Sequence, residues 1–355
     1  MRLRDHKQRI MIILLALVTG FFITVLSFGY FISAPKYKGP VTDHFDGKQF
    51  SNPGKIKAKG FREVIQWMVN RKQGPWKEKR DLVYGGKPAA RVDQGIRITF
   101  VNHSTFLIQV DGLNLITDPV WSFRTSPMQW AGPKRMRPPG VKLEDLPRID
   151  VMLLSHNHWD HLDIATVKKI YETDHPKIIT PLGVKTFLEL EGIRGAVDID
   201  WWQEEIITNS LKIQSVPAQH FSGRGMFDRD ATLWSGYVIK RPAGNIYFVG
   251  DTGYNEITFR EIGRRCAPIE IALVPIGAFK PQWFMSPIHC SPEEAVKIHQ
   301  ESGAKTSIAT HFGTFPLADD GEVEPVIELK KALQKSGVND ESFVVLQEGV
   351  PREFK

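Results

Sequence analysis

The run Ser155-His156-Asn157-His158-Trp159-Asp160-His161-Leu162-Asp163 constrains this chain more than any other segment. It follows an apolar stretch at 151–154 that reads as a buried strand, so its side chains are delivered at a strand exit. Alternate residues of an extended segment point the same way. His156 and His158 can therefore grip one ion, while Asp160 and His161, at the following turn, can reach a second. Imidazole and carboxylate suit zinc or a related first-row metal. Burying that many titratable groups without an ion would incur several desolvation penalties, so a fold that gathers them must also hold metal.

Two metals with a position left open for water need about five or six donors. The chain offers more of them at later strand exits: His220 after the run 213–216, Asp251 in Gly250-Asp251-Thr252-Gly253 after 246–249, and His311 after 306–309. A carboxylate on a glycine-flanked turn, such as Asp251, could bridge both ions. Any one of these residues alone would read more readily as a surface or capping residue. Their shared position behind apolar strands outweighs that reading.

The surrounding pattern supplies the scaffold. Short apolar runs at 98–101, 105–110 and 113–117, with the turn Asp111-Gly112, form a β-meander. Further strands are expected at 178–180, 235–239 and 271–274, and helices at 164–173, 183–190, 259–264, 292–300 and 326–334. A meander followed by alternating strands and helices indicates two sheets packed between helical layers. With 42% hydrophobic and 24% charged residues, the 355-residue chain is globular and neither disordered nor a multi-span membrane protein. Its two cysteines, Cys266 and Cys290, exclude a disulfide framework and any zinc site of three or four thiolates; a single bridge stays open.

Residues 10–34 contain no charged side chain and are rich in Ile, Leu, Val and Phe. At about 1.5 Å per residue such a helix spans a hydrocarbon layer of roughly 30 Å. A cleavable signal peptide is the rival; its only small-residue site, Ser33-Ala34, is followed directly by Pro35, which favours retention. A buried core helix is disfavoured by the length. Residues 1–95 carry a net charge of +11 and the remaining chain −5, which together give the overall +6, so the basicity is confined to the N-terminal region. Arg2, Arg4, Lys7 and Arg9 before the span slightly outweigh Lys36, Lys38 and Lys48 after it, which favours a cytoplasmic N-terminus and, in a bacterium, a periplasmic body. The prolines and glycines that follow read as a tether. Phe61, Val64, Ile65 and Met68 then fall at helical spacing among basic residues, in a helix expected either to lie on anionic lipid or to pack on the body.

The order H-x-H-x-D-H, a later His, a Gly-Asp pair and a last His resembles the metallo-β-lactamase superfamily, and within it the N-acylphosphatidylethanolamine-hydrolysing phospholipase D family. The resembling segments include Leu115-Ile116-Thr117-Asp118-Pro119, Gly132-Pro133-Lys134-Arg135, Asp200-Trp201-Trp202, Gly250-Asp251-Thr252-Gly253-Tyr254, Trp283-Phe284-Met285 and His311-Phe312-Gly313-Thr314-Phe315, within residues 90–350. The resemblance implies an α/β fold, the four-layer αβ/βα sandwich, with two zinc ions between the sheets. It assigns His156, His158 and His220 to one ion, Asp160, His161 and His311 to the other, and Asp251 to both. It further implies a metal-bridging hydroxide as nucleophile, with Asp160, Asp251 and His289 as catalytic residues and Trp159 and His289 as substrate contacts. Trp159 departs from the family's usual tyrosine: it offers an N–H but no hydroxyl. His103 is expected to be supporting or structural.

The chain is thus expected to comprise a basic segment (1–9), a single transmembrane anchor (10–34), a basic linker and membrane-proximal segment (35–95) and a hydrolase domain (96–355). The expected activity is hydrolysis of N-acylphosphatidylethanolamine-like lipids to N-acylethanolamine and phosphatidic acid. The expected partners are a phospholipid substrate and a membrane, with homodimerisation left open. Nucleic acid is disfavoured because the body is acidic. Two alternatives remain at this point: a metallohydrolase of a lactone or soluble phosphodiester, and a membrane-tethered binding protein without catalysis.

Overall fold

A computed structural model describes residues 2–79 and 85–354 of the chain. The side chains of Arg2, Arg4 and Lys7, and residue Arg80 of the basic linker, lie outside the described residues. The chain opens with α1 (Arg2–Phe31) and α2 (Phe61–Val69), then runs through β1 (Ile96–Asn102), β2 (Thr105–Val110), β3 (Leu113–Thr117), β4 (Val151–Leu153), α3 (Ile164–Asp174), β5 (Lys177–Pro181), α4 (Val184–Leu190) and β6 (Val197–Ile199). The second half holds β7 (Glu204–Ile206), β8 (Lys212–Val216), β9 (Gly236–Lys240), β10 (Asn245–Phe248), α5 (Glu256–Cys266), β11 (Ile269–Pro275), α6 (Gln282–Met285), α7 (Pro292–Ser302), β12 (Thr306–Thr310), α8 (Glu324–Ser336), β13 (Phe343–Val344) and β14 (Pro351–Phe354).

These strands form two seven-stranded sheets, in the orders β14-β1-β2-β3-β4-β5-β6 and β13-β12-β11-β10-β9-β8-β7. Each sheet has an antiparallel part and a parallel part: β3 to β6 pair parallel in the first, β10 to β13 in the second. Period-two alternation divides the side chains. Val151 and Leu153 of β4 enter the core between the sheets, while Met152 and the following Leu154 face Val167 and Ile170 of α3 and Leu188 of α4. Phe259, Ile262, Val296 and Leu329 bring α5, α7 and α8 onto the second sheet. Each such fully buried side chain stabilises the fold by about 1.5–3 kcal/mol. The four-layer αβ/βα sandwich expected from the sequence is the fold observed. The short strands β6, β7, β13 and β14 had no sequence signal: Glu204-Glu205-Ile206 becomes a strand only because β8 pairs with it.

Both cysteines are free and buried. Among the described residues one helix is long and apolar enough to cross a membrane, Gln8–Phe31, by length and composition. It ends short of the uncharged run, because Ala34 precedes Pro35, which disfavours helix, and gives its N–H to Asp228 Oδ2 at 2.8 Å.

The segment after α1 differs from the expected tether. Tyr37, Phe45 and Phe50 pack with Leu233 and Trp234, and His44 Nε2 lies 2.8 Å from Asp200 Oδ1. Part of the basic linker's charge is also spent internally. Lys79 Nζ lies 2.9 Å from Glu322 and Arg71 Nε 3.5 Å from Asp319, both of them buried carboxylates that need counter-charges. Helix α2 packs on the body along one face, as one of the two alternatives had it. Val64 and Trp67 pack on Phe284 and its neighbours, while Phe61, Ile65, Met68 and Val69 remain exposed.

Candidate metal centre

Strand β4 ends where the histidine run begins, and β8, β10 and β12 end just before His220, Asp251 and His311, so both sheets contribute to one rim of the sandwich. The backbone is unusual at these exits. Gly250 has φ +69°, and a Cβ there would lie 2.9 Å from Ser235 O; His311, Asp118 and His103 adopt positive φ without being glycine. Such backbone persists where the surrounding fold over-determines it, and it concentrates at functional sites.

His156, His158 and His220 converge. His158 Nδ1 lies 2.8 Å from His156 Nε2 and 3.2 Å from His220 Nε2. Asp160, His161 and His311 form a second group, with Asp160 Oδ2 3.3 Å from His161 Nε2 and 3.5 Å from His311 Nε2. Asp251 Oδ2 faces both groups, at 3.0 Å from His311, 3.1 Å from His161 and 3.7 Å from His220. His289 overlooks the same point, its Nδ1 3.9 Å from Asp251 Oδ2 and its ring 5.0 Å from that of His220. The eight positions other than Trp159 that the sequence marked as ligands or substrate contacts thus meet around one centre.

The donor set fits metal. The sets His156, His158, His220 and His103, Asp160, His161, His311 each bring their ligand atoms within 4.8 Å of one another. Asp251 Oδ1 is buried with no hydrogen-bond partner among the described residues. Burial, together with crowding by other imidazoles, pushes His156 well down and His158 and His220 down to about 3, so these rings are neutral and their lone pairs free. Burial opposes charge on His161 and His311 too, but Asp251 and Asp160 outweigh it and hold both rings up, His311 at about 9. Burial also works against ionised Asp160 and Asp251. The His161 ring, with further histidines, outweighs it and holds both well below the usual carboxylate range.

Supporting residues turn the rings. His161 Nδ1 lies 2.7 Å from Asp118 Oδ2, which also accepts from Ser155 Oγ at 2.6 Å, leaving His161 Nε2 to face the centre. His220 Nδ1 donates to Ile288 O at 2.8 Å, and His103 Nε2 lies 2.9 Å from Asp160 Oδ2. Asn52 braces His220 from the far end of the chain: its Oδ1 accepts the His220 N–H and its Nδ2 donates to the His220 carbonyl, both at 2.8 Å. Asp118 stands at the exit of β3 in a segment that the sequence singled out, so its position was a usable signal; nothing in the pattern around Asn52 pointed to the site. Replacing Asp118 by Asn is expected to weaken metal retention by about 10–100-fold, measured by competition with a chelator. Unchanged retention would mean that the carboxylate does not orient His161.

Trp159 sits differently from the rest. Its Nε1–H donates to Arg224 O at 2.9 Å, and the Arg224 guanidinium lies 3.7 Å from its ring centre, so the N–H anticipated for substrate is already committed. Buried Arg224 in turn donates to the carbonyls of Asn157 and Leu162, at 2.8 and 2.9 Å, and clamps both ends of the histidine run. Arg224→Ala would strand two buried carbonyls at about 1–3 kcal/mol each. A melting temperature lowered by several degrees, together with faster metal loss, is the expected result, and an unchanged melting curve would refute the clamp.

Comparison with known proteins agrees with this geometry. A family described as "Beta-lactamase superfamily domain" matches residues 113–312. The Caenorhabditis elegans N-acyl-phosphatidylethanolamine-hydrolyzing phospholipase D 1 is 38% identical over 269 residues, covering 72% of this chain and 75% of the relative. The mitochondrial N-acyl-phosphatidylethanolamine-hydrolyzing phospholipase D of Saccharomyces cerevisiae is 30% identical, covering 69% of this chain and 53% of the relative. The solved structure of Igni18, a metallo hydrolase of Ignicoccus hospitalis, shares the fold at TM-score 0.57 and 22% identity, covering 74% of this chain and 99% of that one. With these ligand groups at the rim of a two-sheet sandwich, the chain is a metallohydrolase that belongs to the metallo-β-lactamase superfamily and, within it, to the N-acylphosphatidylethanolamine-hydrolysing phospholipase D family.

Proposed function

We propose that the chain is a membrane-anchored, two-zinc phosphodiesterase of phospholipase D type that hydrolyses N-acylphosphatidylethanolamine-like lipids to N-acylethanolamine and phosphatidic acid. The observation that carries this reading is a groove of about 750 Å³ that reaches His220, walled by Phe50, Ile56, Phe61, Val64 and Met226 with Lys57 on its rim. Apolar walls suit acyl chains, and a cationic rim suits a phosphodiester. The worm and yeast relatives, named for this lipid, support the same substrate class.

In this reading His156, His158 and His220 would hold one zinc and Asp160, His161 and His311 the other, with Asp251 placed to serve either. Bound zinc supplies Lewis acidity toward the phosphoryl oxygens and an ionised water nucleophile near neutral pH. His103 and Asp118 keep Asp160 and His161 in position, and Asn52 does the same for His220. Burial, above all, pushes His289 down to about 3, so at neutral pH it is an uncharged hydrogen-bond donor to a phosphoryl or leaving oxygen and not a proton source. Trp159 acts through Arg224 by steadying the loop that carries the ligands. Helix α1 crosses the membrane with the basic N-terminus in the cytoplasm, which in a bacterium puts the body in the periplasm.

The test is metal analysis of the full chain combined with a hydrolysis screen read by mass spectrometry, covering N-acylphosphatidylethanolamine vesicles, a lactone and a soluble phosphodiester. Two zinc ions per chain and released N-acylethanolamine are expected. Turnover of only the lactone or the soluble diester would sink the lipid reading, and bound metal with no turnover at all would leave a binding protein.

A further inference from the structure

The end of α1 is built into the body. Gly29 O accepts Met226 N–H at 3.4 Å, Ser33 Oγ accepts Phe227 N–H at 3.2 Å, and Ala34 N–H donates to Asp228 Oδ2 at 2.8 Å. Asp228 is buried and its carboxylate also takes the N–H groups of Arg224 and Gly225, at 2.9 and 2.8 Å. The fit is close: a Cβ on Gly29 would lie 2.6 Å from Met226 Sδ, and one on Gly225 would lie 2.2 Å from Ser33 Oγ. A helix held this way sets the direction of the body relative to its own axis, which a flexible tether cannot do.

The loop that receives α1 is also a wall of the groove. Gly225, Met226 and Arg229 line it, together with Phe61 and Val64 of α2 and with His220. At the loop tip Phe227 approaches Tyr30 at 6.5 Å between ring centres, and Tyr30 and Phe31 are exposed aromatics at the end of the apolar span, where interfacial rings belong. Helix α2 shows Phe61, Ile65, Met68 and Val69 to solvent at i, i+4, i+7 and i+8, a single stripe beside the one that packs on the body. Lys55, Lys57, Arg62 and Arg229 are exposed around it. An apolar stripe with a basic border matches an anionic lipid surface in both charge and polarity.

We propose that the joint between α1 and residues 225–228 seats the groove mouth on an anionic phospholipid bilayer, with the α2 stripe and the Met226-Phe227 tip as the lipid-contacting face. The proposal rests on α1 spanning the membrane, as in the reading above, but not on which lipid is hydrolysed. The test uses the full chain in nanodiscs containing anionic lipid, with an environment-sensitive fluorophore on a single introduced cysteine and doxyl-labelled lipid as quencher; Cys266 and Cys290 are buried and stay unlabelled. Three positions are compared: Gly20→Cys within α1, Ile65→Cys on the α2 stripe, and Ala243→Cys in the turn between β9 and β10, at the end of the sandwich away from the ligands.

Positions 20 and 65 are expected to be quenched severalfold more than 243. A short Gly-Ser insertion after Phe31 should leave position 20 quenched and reduce quenching at 65 at least twofold. Quenching at 65 no greater than at 243, no quenching at 20, or quenching at 65 that the insertion leaves unchanged would each overturn the proposal. So would a fluorophore at 65 that is shielded equally in lipid-free detergent alongside a dimer mass by light scattering, which would give the stripe to a second copy. None of these readouts uses turnover. A chain that hydrolyses no lipid yet is quenched at 65 keeps the seating and loses the phospholipase reading; the reverse result separates the two the other way.

Discussion

Replacing Asp251 by alanine is expected to strip bound metal and to lower turnover of a soluble phosphodiester by more than about a hundredfold. Changes to residues that merely orient a ligand already cost about 10–100-fold. Asp251 does more, since its Oδ2 lies within 3.0–3.7 Å of nitrogens from His311, His161 and His220 and its Oδ1 is buried without a partner among the described residues. Its loss also removes the counter-charge that, against burial, sustains protonated His161 and His311 in the metal-free protein. Asp251→Asn keeps the volume and one oxygen and should fall between wild type and alanine. Metal content by mass spectrometry, read beside activity, checks the assignment, and a fully active Asp251→Ala protein would sink it.

Deleting residues 1–31 is expected to leave a folded, metal-loaded protein that turns over vesicle-bound lipid about a hundredfold more slowly at low lipid concentration. A membrane anchor, as proposed for α1, would turn an encounter in solution into one within a shared surface, an effect of about 10²–10⁴ when geometry permits. A diacyl lipid cannot come out to meet the truncated enzyme, because each methylene exposed costs about 0.8 kcal/mol. Cutting before Ser33 matters: Ser33 and Ala34 hold Phe227 and Asp228, and the segment behind them carries Asn52 to His220. What attraction remains comes from exposed residues such as Lys55, Lys57 and Arg62, at roughly 1 kcal/mol for each well-placed charge. Salt screens that attraction, so the deficit should widen as ionic strength rises. A soluble phosphodiester should be hydrolysed equally by both forms. Equal turnover of vesicles at every salt concentration would favour a soluble substrate.

The residues that meet at this rim were legible in the sequence because each follows an apolar strand. His156, His158, Asp160 and His161 are contiguous, and His220, Asp251 and His311 each stand just beyond a run whose alternation marks it as buried. Strand alternation and the capped start of α7 at Ser291-Pro292-Glu293-Glu294 are local properties, carried by neighbouring residues, and so the layered fold could be derived from them. Helix α2 was legible as amphipathic in the same way.

What only the tertiary structure decided are the contacts between residues far apart in sequence. Asp118 meets His161, Asn52 meets His220 although 168 residues separate them, and Arg224 reaches back to Asn157 and Leu162, because the stacking of two sheets brings their rims together. The segment after α1 looked like a tether because its prolines and glycines say nothing of the surface prepared for Phe45 and Phe50. On α2 the periodicity marks apolar positions, but which of them meet protein depends on where Phe284 lies; Val64 and Trp67 turn inward and Phe61, Ile65 and Met68 outward. Periodicity determines which side chains share a face, and long-range packing alone determines what that face touches.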